Sequence, residues 1–280
     1  MSAQPQPNLD KLTVQGFGEE WHAFDQTELP EAEAQAHFDA YFAPFRWDLV
    51  GPQSMGFDMG CGSGRWAKRL APHVGHLHCI DPSSALEVAR RNLAELNNVS
   101  FHQAAVDAVP LPPGSMDFGF SLGVLHHIPD TAAAIKSCVA LLKPGAPLLL
   151  YLYYRFDNQP VWFRGLWHLS ELGRALISRL PSRPRVLVTS VIAALVYWPL
   201  ARLAKLASML GANPKSLPLS FYRDASFYTM RTDALDRFGT RLEQRFTRKE
   251  ISVMLTAAGC GDIGFSDKAP YWCVCAVRNG

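Results

Sequence analysis

Residues 57–65 read FDMGCGSGR and decide the fold: a short apolar run enters a glycine turn, and a helix is predicted from about Arg65. Gly60, Gly62 and Gly64 give this turn backbone freedom and leave room for a ligand to approach its amide groups. A dinucleotide fingerprint would carry its third glycine at position 65, where this chain has arginine. The G-x-G-x-G spacing therefore favours a small ligand without a pyrophosphate.

The pattern on both sides of this turn predicts an α/β fold. Apolar runs of strand length alternate with helical stretches, which is typical of a Rossmann-like, doubly wound, mostly parallel sheet covered on both faces. A T-x-x-E capping box at Thr247 and Glu250 predicts a helix, and two strand-like runs after it predict a C-terminal antiparallel hairpin, which gives seven strands. After the run into Gly60, the predicted strands are 77–80, 99–103, 116–122, 147–154, 263–266 and 271–277.

Two acidic residues follow predicted strands at the carboxyl edge of the sheet. Asp81 ends the second strand, where a carboxylate can accept hydrogen bonds from both ribose hydroxyls, a device that NAD enzymes share. Asp107 falls one strand later and is placed to accept from an exocyclic adenine amine. Together the two carboxylates favour S-adenosylmethionine over NAD.

With the Lys143-Pro144-Gly145 block ahead of the fifth strand, residues 54–154 resemble the core of class I S-adenosylmethionine-dependent methyltransferases of the type 11 kind. The resemblance implies S-adenosylmethionine as cofactor and S-adenosylhomocysteine as product. It implies that the glycine turn passes under the methionine part, that Asp81 holds the ribose, and that Asp107 with the Ala108 amide reads adenine. The predicted cofactor-binding residues are Trp21, Asp58, Gly60, Cys61, Gly62, Gly64, Asp81, Pro82, Asp107, Ala108 and Leu122.

Residues 121–128, SLGVLHHI, resemble the block that lines the wall between cofactor and acceptor in this family. An alcohol or phenol acceptor must lose a proton, and we predict His126, His127 and Tyr153 as the catalytic residues that receive or relay it. The alternative is that the histidine pair is a hydrogen-bonded structural element.

Residues 155–215 do not fit the core pattern and carry nine Lys or Arg against two Asp or Glu, a net charge of +7, while the rest of the chain carries −5. We predict a helical, basic and apolar lid that chooses the acceptor. The alternatives are a homodimer interface and peripheral contact with a membrane. A membrane span is not predicted, because the uncharged run 186–201 has 16 residues, short of the roughly 18 required. The predicted substrate-binding residues are Tyr154, Tyr222, Arg223, Tyr228 and Arg231.

The predicted organisation is an N-terminal helical cap (1–50), the cofactor-binding core (51–154), the lid insertion (155–230) and the C-terminal part of the core sheet (231–280). The predicted function is methylation of an apolar, aromatic or anionic small molecule, O-directed first and C- or N-directed as alternatives. An NAD-dependent oxidoreductase and a non-catalytic cofactor-binding module are the alternatives from other classes.

Net charge, missing motifs and cysteine spacing disfavour several other classes of protein. A formal net charge of +2, and the lack of an Asn/Asp-Pro-Pro-aromatic block after the fourth strand, disfavour nucleic acid as a partner. The six cysteines are scattered and complete no set of zinc ligands, so no metal is predicted. Residues 1–15 lack the apolar region of a signal peptide, and reduced thiols in the cytoplasm are expected.

Overall fold

The computed structural model describes residues 7–156, 161–213 and 217–280, and this part of the chain forms two compact units. The first lies within Met1–His22, Ala36–Asp157 and Leu242–Gly280, and the second within Ala23–Gln35 and Asn158–Arg241. The predicted boundaries after residues 50, 154 and 230 do not coincide with these limits, because the second unit takes in residues 23–35 and continues to residue 241.

Ten helices and seven strands make up the regular structure of the described residues. The helices are α1 (Lys11–Ala23), α2 (Glu31–Tyr41), α3 (Ala67–Leu70), α4 (Ala85–Asn92), α5 (Thr131–Leu141), α6 (Val161–Ile177), α7 (Ser182–Ile192), α8 (Trp198–Met209), α9 (Phe227–Gly239) and α10 (Arg248–Ala257). The strands are β1 (Met55–Met59), β2 (His76–Ile80), β3 (Val99–His102), β4 (Phe118–Leu122), β5 (Pro147–Tyr151), β6 (Cys260–Phe265) and β7 (Cys273–Arg278).

All seven strands form one sheet in the first unit, in the order β3-β2-β1-β4-β5-β7-β6. The first five are parallel, and β7 is antiparallel to both β5 and β6. The predicted Rossmann-like sheet and its C-terminal hairpin are therefore confirmed. The second hairpin strand, β7, pairs with β5 inside the sheet, and β6 forms the edge.

Burial on both faces explains why the central strands are continuous apolar runs. Leu148 and Leu150 of β5 belong to one hydrophobic core and Leu149 to the other, because successive side chains of a strand point to opposite faces. Thr247 and Glu250 form the predicted capping box at the start of α10. The local signals in the sequence thus specify both the sheet and the helices that cover it.

The fifth strand is shorter than predicted, and this places part of the candidate site. The 147–154 run continues to Tyr154, but β5 ends at Tyr151. Beyond it, Leu152 exchanges backbone hydrogen bonds with Trp272, and Tyr154 forms a bridge to Phe246. Tyr153 therefore lies just past the carboxyl edge of the sheet.

The second unit is helical, and its longest element is continuous. Residues 193–197 form a π-helical turn that joins α7 and α8 into one helix, Ser182–Met209. This helix has 28 residues and a mean hydropathy of 1.8 over its most apolar 18-residue window, so by length and composition it is able to cross a membrane. The 16-residue uncharged run therefore underestimates the length of this helix, which extends past the charged residues that bound that run, and the absence of a membrane span stays a prediction.

Candidate functional site

At two positions of the glycine turn between β1 and α3, positive φ and close packing together require glycine. Gly60 has φ +78°, and a Cβ there would lie 2.4 Å from the Val124 side chain. Gly62 has φ +52°, and a Cβ there would lie 2.8 Å from Nε1 of Trp21. The amides of Gly60 and Cys61 donate to the carbonyl of Ile80 at 2.7 and 3.0 Å. The turn is therefore fixed by backbone conformation and by close packing.

Helix α1 covers this turn with aromatic side chains. Trp21 lies against Gly62, and the Arg65 guanidinium lies 5.3 Å from the centre of the Trp21 ring. One turn earlier, Phe17 packs against His127 with ring centroids 4.8 Å apart. Trp21 thus lies on the glycine turn, and its contact with the cofactor stays a prediction, whereas sequence analysis missed Phe17, which carried no motif.

Asp58 is a buried carboxyl group beneath the turn. It is fully buried, and neither carboxylate oxygen has a hydrogen-bond partner among the described residues. Burial, reinforced by the nearby charge of Asp81, raises the pKa of Asp58 well above its usual value, and Arg65 opposes this only in part. A buried carboxyl without donors is costly, so the site fits a ligand that brings an ammonium or amide donor, as the methionine part of S-adenosylmethionine does.

Asp81 follows β2 and ties its carboxylate to the glycine turn. Its Oδ2 accepts from the Gly62 amide at 3.0 Å, and its Oδ1 accepts from the amide and hydroxyl of Ser83 at 2.8 and 2.6 Å. Burial raises the pKa of Asp81, while the hydrogen bonds from Ser83 and Gly62 lower it. Pro82, beside it, is half-buried. The position agrees with the ribose role that the resemblance implies.

The predicted adenine readers already have partners within the chain. Asp107 Oδ2 accepts from the backbone amide of Asn8 at 2.7 Å, and the backbone amide of Ala108 donates to the Ala105 carbonyl at 3.0 Å. The Asn8 side chain exchanges two hydrogen bonds with the backbone of Asp130, the residue that caps α5. Adenine recognition by Asp107 and Ala108 stays a prediction, and Asn8 is a contact that sequence analysis missed.

His126 has the properties of a buried neutral base. It has no exposed surface, and neither ring nitrogen has a hydrogen-bond partner among the described residues. Its ring stacks on Tyr153 with centroids 3.9 Å apart. Burial, reinforced by the electrostatic effects of His127 and Arg245, lowers the pKa of His126 well below its usual value. The imidazole is neutral at neutral pH and therefore able to accept a proton.

His127 is held by a bond to the backbone. Its Nδ1 lies 2.7 Å from the Leu242 carbonyl oxygen, which only accepts, so Nδ1 carries the proton of the neutral ring. The backbone amide of Gln244 donates to the His126 carbonyl at 2.9 Å. The Arg245 guanidinium lies 5.0 Å from the centre of the Tyr153 ring. Residues 242–246 therefore position the histidines, although they formed no recognisable motif.

The remaining predicted residues of the first unit fall into two groups. Leu122, at the end of β4, is buried, as is Cys61, whose thiol pKa is raised by a hydrogen bond with Cys79 and by burial. Tyr154 packs with Phe156, Tyr271 and Trp272. The structure thus brings His126, His127 and Tyr153 together and places Tyr154 in a separate aromatic cluster.

The other four predicted substrate-binding residues lie in the second unit. Tyr228 Oη accepts from the backbone amide of Gln26 at 2.8 Å, and the Arg231 guanidinium lies 5.0 Å from the centre of the Phe24 ring. Tyr222 packs on Tyr197 with centroids 5.3 Å apart, and Arg223 pairs with Asp224 at 3.2 Å. These residues form two clusters, and their role toward an acceptor stays a prediction.

No group of three or more His, Cys, Asp or Glu residues in the described part of the chain is arranged to hold a metal ion. All six cysteines are buried free thiols.

Comparison with known sequences matches the glycine turn and the strands after it. A family model described as a methyltransferase domain matches residues 57–150. A ubiquinone biosynthesis O-methyltransferase of Xanthomonas campestris is 33% identical over 145 residues, which cover 45% of this chain and 61% of that protein. An uncharacterized methyltransferase of Mycobacterium tuberculosis is 31% identical over 140 residues, 49% of this chain and 66% of the relative. This chain therefore spans about three fifths of the length of the first of these relatives.

Comparison with solved structures extends the similarity of fold to most of the chain. A chain of the complex between the Haloferax volcanii Trm112 methyltransferase activator and a putative methyltransferase aligns with a TM-score of 0.51 at 13% identity, covering 94% of this chain and 98% of that chain. The S-adenosylmethionine-dependent methyltransferase SibL aligns with a TM-score of 0.52 at 15% identity, covering 89% of this chain and 56% of that chain. At these identities the likeness concerns the fold.

Proposed function

Residues 57–150 belong to the class I S-adenosylmethionine-dependent methyltransferase family, and from this premise we propose that the chain methylates a hydroxyl group of a small lipophilic molecule. The observation that carries the O-directed proposal is His126, a fully buried histidine whose ring nitrogens have no partner in the described chain. A neutral base of this kind suits an acceptor that must lose a proton.

The residues of the first unit fit S-adenosylmethionine. Asp58 would accept from the ammonium group, Asp81 from the ribose hydroxyls, and Trp21 with the glycine turn would line the site. When bound, the cofactor supplies a methyl group on a positively charged sulfur. The protein then has to align the acceptor oxygen and exclude water.

The acceptor side is proposed from the cluster of His126, His127 and Tyr153. A ring nitrogen of His126 takes the proton of the acceptor hydroxyl as the oxygen is methylated, and His127, fixed through Leu242, and Tyr153 hold the imidazole in place. The ubiquinone-pathway relatives are named O-methyltransferases, which supports a hydroxyl on a lipophilic ring. C- or N-methylation is the alternative, and a carbon or amine acceptor would depend less on His126.

Two alternatives belong to other classes of protein. The NAD-dependent oxidoreductase is disfavoured, because Arg65 stands at the third-glycine position and its guanidinium lies 4.4 Å from the centre of the Trp66 ring. A module that binds the cofactor without catalysis would share the donor site and show no turnover.

A turnover screen with labelled S-adenosylmethionine tests the proposal. Acceptors are quinols, phenols, fatty acids and amines, and release of S-adenosylhomocysteine is the signal. We expect transfer to a hydroxyl group, with kcat lowered about 100-fold or more in His126→Gln, since a general base contributes about 10² to 10⁴. The activity should stay level as the pH falls from neutral and drop only when His126 becomes protonated, because burial lowers its pKa.

Calorimetry separates donor binding from chemistry. His126→Gln should bind S-adenosylmethionine as the wild type does, whereas Asp81→Ala should bind about 10- to 100-fold more weakly, because it removes a charged hydrogen-bond acceptor. Asp267→Ala, an exposed aspartate of the first unit, is the matched control. Absence of binding by the wild type, or binding that survives Asp81→Ala, would reject the donor site. Turnover unaffected by His126→Gln would reject the base.

The partners beyond the acceptor are also proposals. Peripheral membrane contact and a homodimer through the insertion would both use apolar side chains exposed on the second unit. Nucleic acid stays disfavoured by the net charge of +2, and the cytoplasmic location expected from the cysteines stays a prediction.

A further inference from the structure

The long helix of the second unit, Ser182–Met209, has two unlike apolar faces. One face is buried and consists largely of small residues, including Thr189, Ala193, Ala201 and Ala204. It packs with Tyr197 against Met230 and Ala234 of α9. The large side chains lie on the other face, where Leu187 is 66% exposed and Leu195 72% exposed. Small residues between helices and large ones outside are typical of helices that pack together against lipid.

Helix α6 also has one packed side and one exposed apolar side, but its packed side is polar. On one side, Glu171 pairs with Arg174 at 2.7 Å and with Arg237 of α9 at 2.6 Å, and the Ser170 hydroxyl accepts from Arg237. These polar contacts fix α6 to α9. On the other side Leu169, Leu172 and Leu176 are each at least 64% exposed, at the i, i+3, i+7 spacing of one helix face.

We propose that the exposed apolar faces of α6 and of the long helix dock on the surface of a bilayer that contains anionic phospholipid. The docking residues are Trp162, Leu169, Leu172, Leu176, Leu187, Val191, Leu195, Trp198, Leu206 and Met209, and they are named here the apolar surface. This inference does not rest on methyl transfer, because it uses no residue of the donor or proton-accepting sites.

Charge argues for an anionic surface as the occupant. Residues 161–210 contain seven Lys or Arg and one Glu. Arg164, Arg179 and Arg183 are exposed on the same two helices or on the turn between them. A basic cluster beside apolar side chains is attracted to anionic headgroups, and about half-exposed tryptophans such as Trp162 and Trp198 suit the boundary between headgroups and acyl chains.

The long helix lies on the bilayer and does not cross it, although its length would suffice. Its small-residue face is covered by α9, which carries Arg231, Asp233, Asp236 and Arg237. The Arg202 guanidinium also donates to the carbonyls of Arg223 and Ala225 at 3.1 and 2.8 Å. A spanning position would bring these charged neighbours into hydrocarbon, whereas a helix in the interface plane keeps them in water.

Flotation of the full-length protein with lipid vesicles tests this inference. Wild-type protein should float with vesicles of phosphatidylcholine and phosphatidylglycerol, and more weakly with phosphatidylcholine alone. Leu176→Asp with Leu195→Asp should lower partitioning by at least about 10-fold per position, since burying one leucine is worth a factor of about 10 to 100. Arg164→Gln with Arg183→Gln should lower it about 5-fold per charge on anionic vesicles only.

The matched control is Val253→Asp, at a 59% exposed position on α10 of the first unit, which should leave flotation unchanged. Thermal unfolding checks that each variant is folded, and this is expected because every substituted side chain is exposed. No flotation of the wild type, or equal loss in Val253→Asp, would overturn the inference. So would light scattering that shows a dimer dissociated by the two aspartates without vesicle binding, because a second copy would then be the occupant.

Discussion

The two units of this chain place their large apolar residues in opposite ways. Of the 22 large hydrophobic residues exposed in the described chain, 17 lie in the second unit and five in the first. In the first unit Leu148, Leu149 and Leu150 of β5 have no exposed surface. In the second, alanines such as Ala193 and Ala201 fill the interior, and leucines such as Leu195 lie outside.

This difference concerns what surrounds the apolar side chains of each unit. The first unit buries its apolar side chains on both faces of one sheet, and its buried Asp58 and His126, which have no hydrogen-bond partner among the described residues, are proposed to meet a ligand. The second unit exposes 17 large hydrophobic side chains, and contiguous exposed apolar patches mark interaction surfaces. We therefore expect small-molecule ligands to complete the first unit, and a partner surface to cover the exposed apolar side chains of the second.

Matched leucine substitutions give the largest expected effect. Leu150→Ala should lower the free energy of unfolding by about 2–5 kcal/mol, because it leaves a cavity in a close-packed core. Leu195→Ala in the second unit should change it by no more than about 0.5 kcal/mol. Urea unfolding of both variants measures the difference. A comparable loss in Leu195→Ala would show that this side chain is covered in solution and would break the comparison.

Matched glycine substitutions give the next largest effect. Gly60→Ala should cost about 2–4 kcal/mol, since it combines an unfavourable positive φ with a clash against Val124. Gly211 of the second unit has φ +84° but nothing within 4 Å of an added Cβ, so Gly211→Ala should cost only about 1–2 kcal/mol. Thermal unfolding tests both, and equal costs would mean that Val124 yields without penalty.

A fully buried carboxylate, Asp58, and a partly buried one, Glu171, should respond to neutralisation with opposite signs. Folding raises the pKa of Asp58, so the folded state is penalised as pH rises from the usual aspartate range through the raised pKa. Asp58→Asn should therefore stabilise the ligand-free protein at neutral pH by about 1–2 kcal/mol, with no gain below the usual aspartate pKa. The same variant should weaken binding of S-adenosylmethionine.

Glu171 of the second unit is the contrasting case. Arg174 and Arg237 lower its pKa against the effect of burial, so its contribution to stability is present above the usual glutamate pKa and is lost as pH falls through the lowered value. Glu171→Gln should destabilise the protein by about 1 kcal/mol at neutral pH, less than Asp58→Asn stabilises it. Unfolding curves between pH 3 and pH 8 measure both. Shifts of the same sign would contradict the assigned environments.

The first unit could be predicted largely from its sequence because its signals are local. The glycine turn, the strand-length apolar runs and the Thr247–Glu250 capping box each occupy a few consecutive residues, and the structure has a strand or helix at each. The donor-side carboxylates Asp58 and Asp81 follow from their positions relative to these strands.

Contacts between distant parts of the chain could not be predicted. Asn8 meets Asp107 across 99 residues, and Leu242 meets His127 across 115, so neither pair leaves a pattern in a short window. The length of the second unit's long helix was missed for another reason. Arg185 and Arg202 bound the uncharged run, whereas the helix continues past both, with Arg185 buried and Arg202 bonded to backbone carbonyls.

The N-terminal segment from Asn8 to Trp21 bears on how fast a ligand enters and leaves the predicted donor site. Asn8 is bonded to Asp107 and Asp130, and Trp21 rests on Gly62, so one stretch of chain spans the predicted donor site from its adenine end to its glycine turn. A ligand that takes the place of the Asn8 backbone amide at Asp107 Oδ2 breaks a hydrogen bond worth about 0.5–1.5 kcal/mol. If Asp107 reads adenine as predicted, entry of the donor and departure of its product would be coupled to detachment of this segment, and the detachment rate would set an upper limit on turnover.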